Sequence, residues 1–299
     1  MTNPTDPNLN ALDITDAEAA EINRIVHPLV ADPAPDADER LVRVEATQDG
    51  VVFVTLNRPH RKNAFDAATI GALHEAFETL HGADHVRVVF IHGAGGTFSA
   101  GADLSWMRDS VDWTEADNRD DAMALANMLK ALYDVPALTV AVVEGAAMGG
   151  GAGLVAACDM AVAVKGAKFA FSEVKLGLIP ATIAPYVIEA VGARTARALF
   201  LSAEVFDAEA ARQFGLVGRV LDEAGQIDAF IAELSQSVRA CAPAAMGDAK
   251  RLVHDVAGKR IDHGLMEDTA KRIARARVSV EGQEGVNAFL NKRKPRWAE

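Results

Sequence analysis

The sequence is short of several things at once. Two cysteines in 299 residues, Cys158 and Cys241, leave no disulfide framework. Their apolar or small-residue surroundings read as free buried thiols in a reducing compartment. Aromatic residues make up only 6%, against 50% hydrophobic residues and 23 glycines. That composition disfavours an aromatic-packed β-sandwich and points to an Ala/Val/Leu core with close backbone approaches. No apolar run reaches the roughly 18 residues that a membrane span needs. Met1–Asn10 lacks the basic and apolar segments of a secretory signal, so the expected location is the cytoplasm, with no membrane partner. Positive charge is scarce as well: the formal net charge of −12 argues against a nucleic-acid surface. His85 and His92 have no partners at metal-ligand spacing and read as surface and strand-end residues, so no metal is expected.

The charge that is present is polarised. Residues 1–40 carry −7 and residues 250–299 carry +5, leaving −10 for the middle. Residues 1–40 read as an acidic, partly disordered arm, with one helix predicted from Thr15 to Val30. Residues 41–240 read as the core and 241–299 as a helical appendage for oligomerisation or as a lid. Within the core, Leu41–Ala46 and Val51–Asn57 form a hairpin pattern. A helix over residues 66–80 starts at an Asp66 cap. Val86–His92, Leu138–Glu144, Met160–Val164 and Lys168–Phe171 read as strands, and Glu115–Tyr133 and Gly149–Cys158 as helices. From Thr182 onward the pattern is almost all helical. Strands alternating with helices predict an α/β protein whose sheet is covered on both faces.

Two segments share one design. Residues 97–104 (TFSAGADL) and 144–151 (EGAAMGGG) are built from small residues, and each follows a buried strand. Small residues let a ligand approach the backbone, and N–H groups at a helix start face outward. Two such loops can aim two N–H donors at one oxygen, which is an oxyanion hole. Glu173, just past a strand and among apolar residues, is a candidate proton carrier. Two donors and one carboxylate suit enolate chemistry, in which a proton moves beside a carbonyl.

At these residues the chain resembles the enoyl-CoA hydratase/isomerase (crotonase) family, from about Leu41 to Trp297. The markers are Leu56-Asn57-Arg58-Pro59 with Asn63-Ala64-Phe65, then residues 98–104, then residues 144–151 and Cys158-Asp159. Ser172-Glu173 with residues 176–180 and the closing Phe289…Lys292-Arg293 complete the order. The resemblance implies a crotonase-like spiral of β-β-α units with a C-terminal helical trimerisation region, as a homotrimer or homohexamer. It implies an acyl-CoA thioester as substrate and no separate cofactor, since CoA is carried by the substrate. The implied oxyanion donors are the N–H groups of Ala102 and Gly150. The implied catalytic set is then Glu173, Ala102 and Gly150. Of the two glutamates of the hydratases, the second matches Glu173; the first falls on Gly153, which has no side chain. One carboxylate opens an alternative, the Δ3–Δ2 isomerase, with Glu173 shuttling a proton between C2 and C4. Residues 103–107 and 173–186 pull back toward hydration, because they look like bacterial methylglutaconyl-CoA hydratases of leucine breakdown. Substrate and CoA contacts are expected from Arg58, Arg61, Lys62, Ala100, Asp103, Leu104, Trp106, Phe289 and Lys292.

Plainer readings stand beside these. Gly151-Ala152-Gly153-Leu154-Val155-Ala156 spells a dinucleotide fingerprint with Glu173 at the acidic position, but almost no strands follow it. Asp103 suits a helix cap or loop brace better than an acid catalyst. Trp106 and Met107 read about equally as acyl-pocket lining or core. Arg108 could meet a distal substrate carboxylate or simply face solvent. The basic C-terminal segment leaves a non-enzyme alternative, an RNA-binding or scaffold member of the fold. Salt-sensitive RNA binding that survives loss of Glu173 would mark that member.

Overall fold

The computed structural model describes residues 40–299; the helix predicted at Thr15–Val30 lies outside the described residues. The hairpin forms as expected, with β1 (Val42–Ala46) antiparallel to β2 (Val51–Leu56). Asp66 caps α1 (Ala67–His81) by accepting a hydrogen bond from the Thr69 N–H at 2.8 Å. The crossover returns the chain to β3 (Val88–Gly93), parallel to β2. A short helix α2 (Leu104–Asp109) then precedes α3 (Glu115–Asp134), which opens with a Thr114/Asp117 capping box. The chain continues through β4 (Leu138–Val143), β5 (Ala146–Met148), α4 (Gly150–Ala156), β6 (Met160–Val164) and β7 (Lys168–Ala170). After these come α5 (Ala184–Ser202), β8 (Phe206–Asp207), α6 (Ala208–Phe214) and β9 (Arg219–Leu221). Four helices close the chain: α7 (Ile227–Arg239), α8 (Pro243–Val256), α9 (His263–Val278) and α10 (Val280–Leu290).

The strands form two sheets. Six run in the order β1-β2-β3-β4-β6-β9, all parallel except the β1–β2 hairpin, and three in the order β5-β7-β8. Strand pairs β4–β5 and β6–β7 each place one strand in the large sheet and the next in the small one. This is the spiral of β-β-α units that the resemblance implied. The inner strands of the large sheet are buried on both faces and mostly apolar, while the edge strands β1 and β9 carry Arg43, Glu45 and Arg219. One face packs on α1, α3 and α4 through Phe77, Leu132 and Val155, and the other on α7 through Phe53, Phe90 and Phe230.

Three short elements differ from the sequence reading. Strand β5 was expected as part of a loop, because three small residues carry no alternation. The two-residue β8 escapes it, and α2 is read only through its Asp103 cap, both being too short for any period. Cys158 is half-buried and Cys241 is exposed, which corrects the expectation that both thiols are buried. Both are free. Among the described residues no helix is long and apolar enough to cross a membrane.

Gly93 ends β3 where the chain turns toward the first small-residue loop. A β-carbon there would lie 2.0 Å from the Thr97 carbonyl oxygen and 2.6 Å from Asn63 Nδ2. Gly93→Ala is therefore expected to lower stability by about 1–3 kcal/mol in urea unfolding, as overpacking does. Gly71→Ala, in open space on α1, is expected to raise it by about 0.5–1 kcal/mol.

Candidate active site

The two small-residue loops meet through main-chain hydrogen bonds. Phe65 donates its N–H to Gly101 O at 2.7 Å and accepts at its carbonyl from Asp103 N–H at 2.7 Å. The residue between those two, Ala102, turns its own N–H away from this parallel bridge. Ser99 bridges Ala147 in the same way, donating to Ala146 O and accepting from Met148 N–H. Gly149 N–H then donates to Ala170 O at 2.9 Å. The next residue, Gly150, opens α4, so its N–H has no acceptor within the helix. A β-carbon on Gly101, whose φ is +90°, would sit 2.9 Å from Met148 O, so glycine is needed where the loops cross.

Ala102 and Gly150 line one cavity of about 160 Å³ together with Glu173. Its remaining walls are apolar apart from Thr182 and the Trp106 indole N–H, and include Phe65, Ile70, Leu125, Ile179 and Ile183. Glu173 begins a short helical turn after β7, and its Oε2 is buried with no hydrogen-bond partner. Burial pushes its carboxyl above the ordinary glutamate value, with its own backbone N–H pulling weakly the other way. The Trp106 indole N–H makes no regular hydrogen bond. It lies beside the Asp121 carboxyl of α3, which burial raises and this indole lowers. A larger cavity, about 320 Å³, lies between α3, α5 and α8 and shares no lining residue with the first. Its polar groups satisfy one another, Tyr133 donating to Glu189 and Lys250 pairing with Asp159.

Other expected site residues divide into braces and surface groups. Arg58 is turned inward. Its Nη2 lies 3.0 Å from carboxylate oxygens of both Asp66 and Asp103, and its Nη1 donates to Ala64 O at 2.6 Å. A guanidinium spent in this way braces the loop and does not present itself to a phosphate. Asp103 is the helix cap and brace that its plainer reading describes: it is 3% exposed and accepts hydrogen bonds from the Ser105 hydroxyl and N–H. Arg61 and Lys62 are exposed, and Lys62 O accepts from Ala100 N–H at 2.9 Å, which ties these cations to the first loop. Ala100 and Leu104 are exposed and do not line the cavity. Arg108 is likewise exposed on α2, outside the lining. Phe289, 83% exposed, and Lys292 lie at the end of α10, and neither lines the cavity of its own chain. His92 bonds Thr55 Oγ1 at 2.8 Å, and burial lowers its pKa to about 3.

Sequence reasoning missed Ile70, Leu125 and Asp121. Helical spacing marks the first two only as core, and nothing in the sequence pairs Asp121 with Trp106. Asn63 was noted as a marker without a role. Its amide donates to Ala94 O and Thr97 O, and its Oδ1 accepts from Arg58 N–H, so one side chain pins three segments.

The brace carries a pH dependence. The Ser105 hydrogen bonds, with Arg58 behind them, hold Asp103 at about 2 against an ordinary 3.8. A depressed carboxyl stabilises the fold above its unfolded value, and that stabilisation is lost as pH falls from about 4 toward 2. In acid titrations of unfolding, Asp103→Asn is expected to flatten this part of the curve. Arg58→Ala, which leaves Asp103 buried without its cation, is expected to cost about 3–5 kcal/mol.

Comparison with known proteins agrees with this geometry. The enoyl-CoA hydratase/isomerase family model matches residues 46–299. A Legionella pneumophila structure assigned as an enoyl-CoA hydratase/isomerase (crotonase) is 43% identical, with TM-score 0.81 over 87% of this chain and 100% of that one. An enoyl-CoA hydratase from Shewanella pealeana is 37% identical, with TM-score 0.83 over 88% and 98%. The human mitochondrial methylglutaconyl-CoA hydratase is 30% identical over 87% of this chain and 77% of its own length. With the spiral fold, the paired loops and the lone carboxylate in place, the chain belongs to the enoyl-CoA hydratase/isomerase (crotonase) family and is an enzyme of that family.

Proposed function

We propose that this enzyme hydrates a short or branched 2-enoyl-CoA, using Glu173 as the proton carrier and the N–H groups of Ala102 and Gly150 as the oxyanion hole. The observation that carries this reading is the unpartnered, buried Oε2 of Glu173 in the same small cavity as those two amides. The thioester oxygen sits between the two N–H groups, where negative charge develops as the enolate forms. Glu173 takes a proton from water while the water oxygen bonds to C3 and the C2=C3 π electrons move onto the thioester. The protonated carboxyl then returns that proton to C2, and the enolate collapses to the thioester. One water is consumed, and Glu173 ends in the state in which it began.

Burial suits Glu173 to this double task, because a raised pKa brings the acid and base forms closer in energy near neutral pH. CoA enters as part of the substrate, and no separate cofactor takes part. Arg61 and Lys62 are the exposed cations that the structure ties to the first loop, and they are the proposed phosphate contacts on this subunit. Phe289 and Lys292 are proposed to reach a CoA held by a neighbouring subunit. The assembly is proposed to be a homotrimer or a pair of trimers, supported by Met266, Val278, Val280, Phe289 and Leu290, all exposed on α9 and α10.

The cavity lining contains no Lys or Arg. A branched apolar acyl group finds matching walls there, while the distal carboxylate of a methylglutaconyl group finds no cation. The methylglutaconyl version therefore rests on sequence likeness alone. The isomerase reading has an observation of its own, the missing side chain at Gly153. In that reaction Glu173 removes a proton from C2 of a 3-enoyl-CoA and returns it to C4.

Glu173→Gln is expected to lower kcat for crotonyl-CoA hydration by a factor on the order of 10²–10⁴ with acyl-CoA binding retained. Hydration at the wild-type rate in this variant would overturn the assignment. In the wild type, kcat is expected to fall on the acid side at a pH above the free glutamate value, since only the carboxylate accepts a proton. Crotonyl-, 3-methylcrotonyl- and 3-methylglutaconyl-CoA, compared by loss of conjugated-enoyl absorbance, fix the acyl class.

A further inference from the structure

Gly153 lacks the carboxylate of the two-glutamate pattern, and the structure shows what occupies that space. A β-carbon on Gly153 would lie 2.2 Å from Cγ2, 2.7 Å from Cβ and 3.5 Å from Cδ1 of Ile183. Such contacts are possible only if something moves, and the first two atoms are the stiff root of a β-branched side chain. Ile183 is 3% exposed and lines the cavity beside Glu173, Ala102 and Gly150. Its position is fixed at both ends of one short segment. Leu178 N–H donates to Glu173 O at 3.1 Å, and Ile183 O accepts from Val187 N–H in the first turn of α5. The same eleven residues, 173–183, thus deliver both the carboxylate and the isoleucine.

Two positions far apart in the sequence therefore fill one volume. The absence of a side chain at 153 and the presence of one at 183 are complementary, so changing residue 153 alone cannot supply a second carboxylate. An apolar group in that volume also offers no hydrogen bond to a water approaching the acyl chain. Glu173 is then the only carboxylate among the lining residues left to hold water, whereas proton transfer along the acyl chain needs no water.

We infer that Ile183 is a specificity-determining residue that sets the partition between hydration and double-bond migration. This rests on the assignment of Glu173 as proton carrier. Hydration forms C3–O and C2–H bonds and consumes the C2=C3 π bond and one water. Migration removes a proton from C2 or C4, shifts the π bond, and returns the proton at the other carbon, with no net change in atoms. Ile183 restricts the first reaction by narrowing the room and the polar contacts available to water, which the second does not use.

The test uses four full-length proteins: wild type, Ile183→Ser, Gly153→Glu, and the double variant Gly153→Glu/Ile183→Gly. Urea unfolding reads the shared volume. Gly153→Glu alone is expected to be strongly destabilised, and the added Ile183→Gly to recover much of that loss. Equal stability of wild type and Gly153→Glu would overturn the shared-volume claim. Product ratios read the partition, with a 2-enoyl-CoA followed for loss and a 3-enoyl-CoA for gain of conjugated-enoyl absorbance. The double variant is expected to raise the hydration-to-migration ratio on the order of a hundredfold, the lower end of what a positioned proton-transfer group contributes. Ile183→Ser, which keeps Gly153, is expected to shift the ratio in the same direction by less. An unchanged ratio in folded Ile183→Ser and folded double variant overturns the inference while the proposed hydration stands. A wild type inactive on both substrates overturns both, and the unfolding comparison still judges the packing by itself.

Discussion

The site depends on main-chain hydrogen bonds between loops that belong to different turns of the spiral. Phe65 holds Gly101 and Asp103, Ser99 holds Ala146 and Met148, and Ala170 holds Gly149. Each contact is backbone to backbone, so the donors at Ala102 and Gly150 are placed by the fold and not by flexible side chains. Such preorganised dipoles need no rearrangement when charge develops on a bound oxygen. The same lattice explains the low side-chain volume of both loops, since Gly101 has no room for a β-carbon against Met148.

Main-chain bonds alone would leave the first loop held at one edge. Arg58 supplies the second hold, joining the start of α1 through Asp66 to the start of α2 through Asp103. A buried cation shared by two carboxylates is a demanding arrangement, because removing Arg58 leaves both carboxylates without this cation. Here the neighbouring Ala64 carbonyl and Ser105 satisfy the remaining donors and acceptors. Asn63 completes the hold from the other side. The side chains that brace the first loop, Arg58, Asp66, Asp103 and Asn63, do not themselves line the cavity.

This arrangement marks what the sequence could reveal. The long elements were legible because period and capping agree, as with Asp66 before α1 and the apolar run of β3. Ala102, Gly150 and Glu173, singled out by the loops and the family resemblance, line one cavity in the structure. The role of Arg58 was not legible. An exposed phosphate contact and a buried brace have the same letter, and only the fold decides which way the guanidinium points. Strand β5 was hidden for a related reason: it is three residues long, and its pairing partner β7 lies 22 residues away. The net charge of −12 likewise says little as a sum, because residues 1–40 carry −7 of it and residues 250–299 carry +5.

The unequal pair of Glu173 and Gly153 bears most on chemistry. A site with two carboxylates can divide the work, one orienting water and the other moving a proton. With a single carboxylate the same oxygen atoms must accept and return the proton, which requires a group able to exist in both states during turnover. Burial among Phe65, Trp106, Ile179 and Ile183 supplies that condition by raising the cost of the charged form. The apolar filling that removes the second carboxylate therefore also tunes the one that remains. Residues 173 and 183 thus face the same cavity from one short segment, although no hydrogen bond joins their side chains.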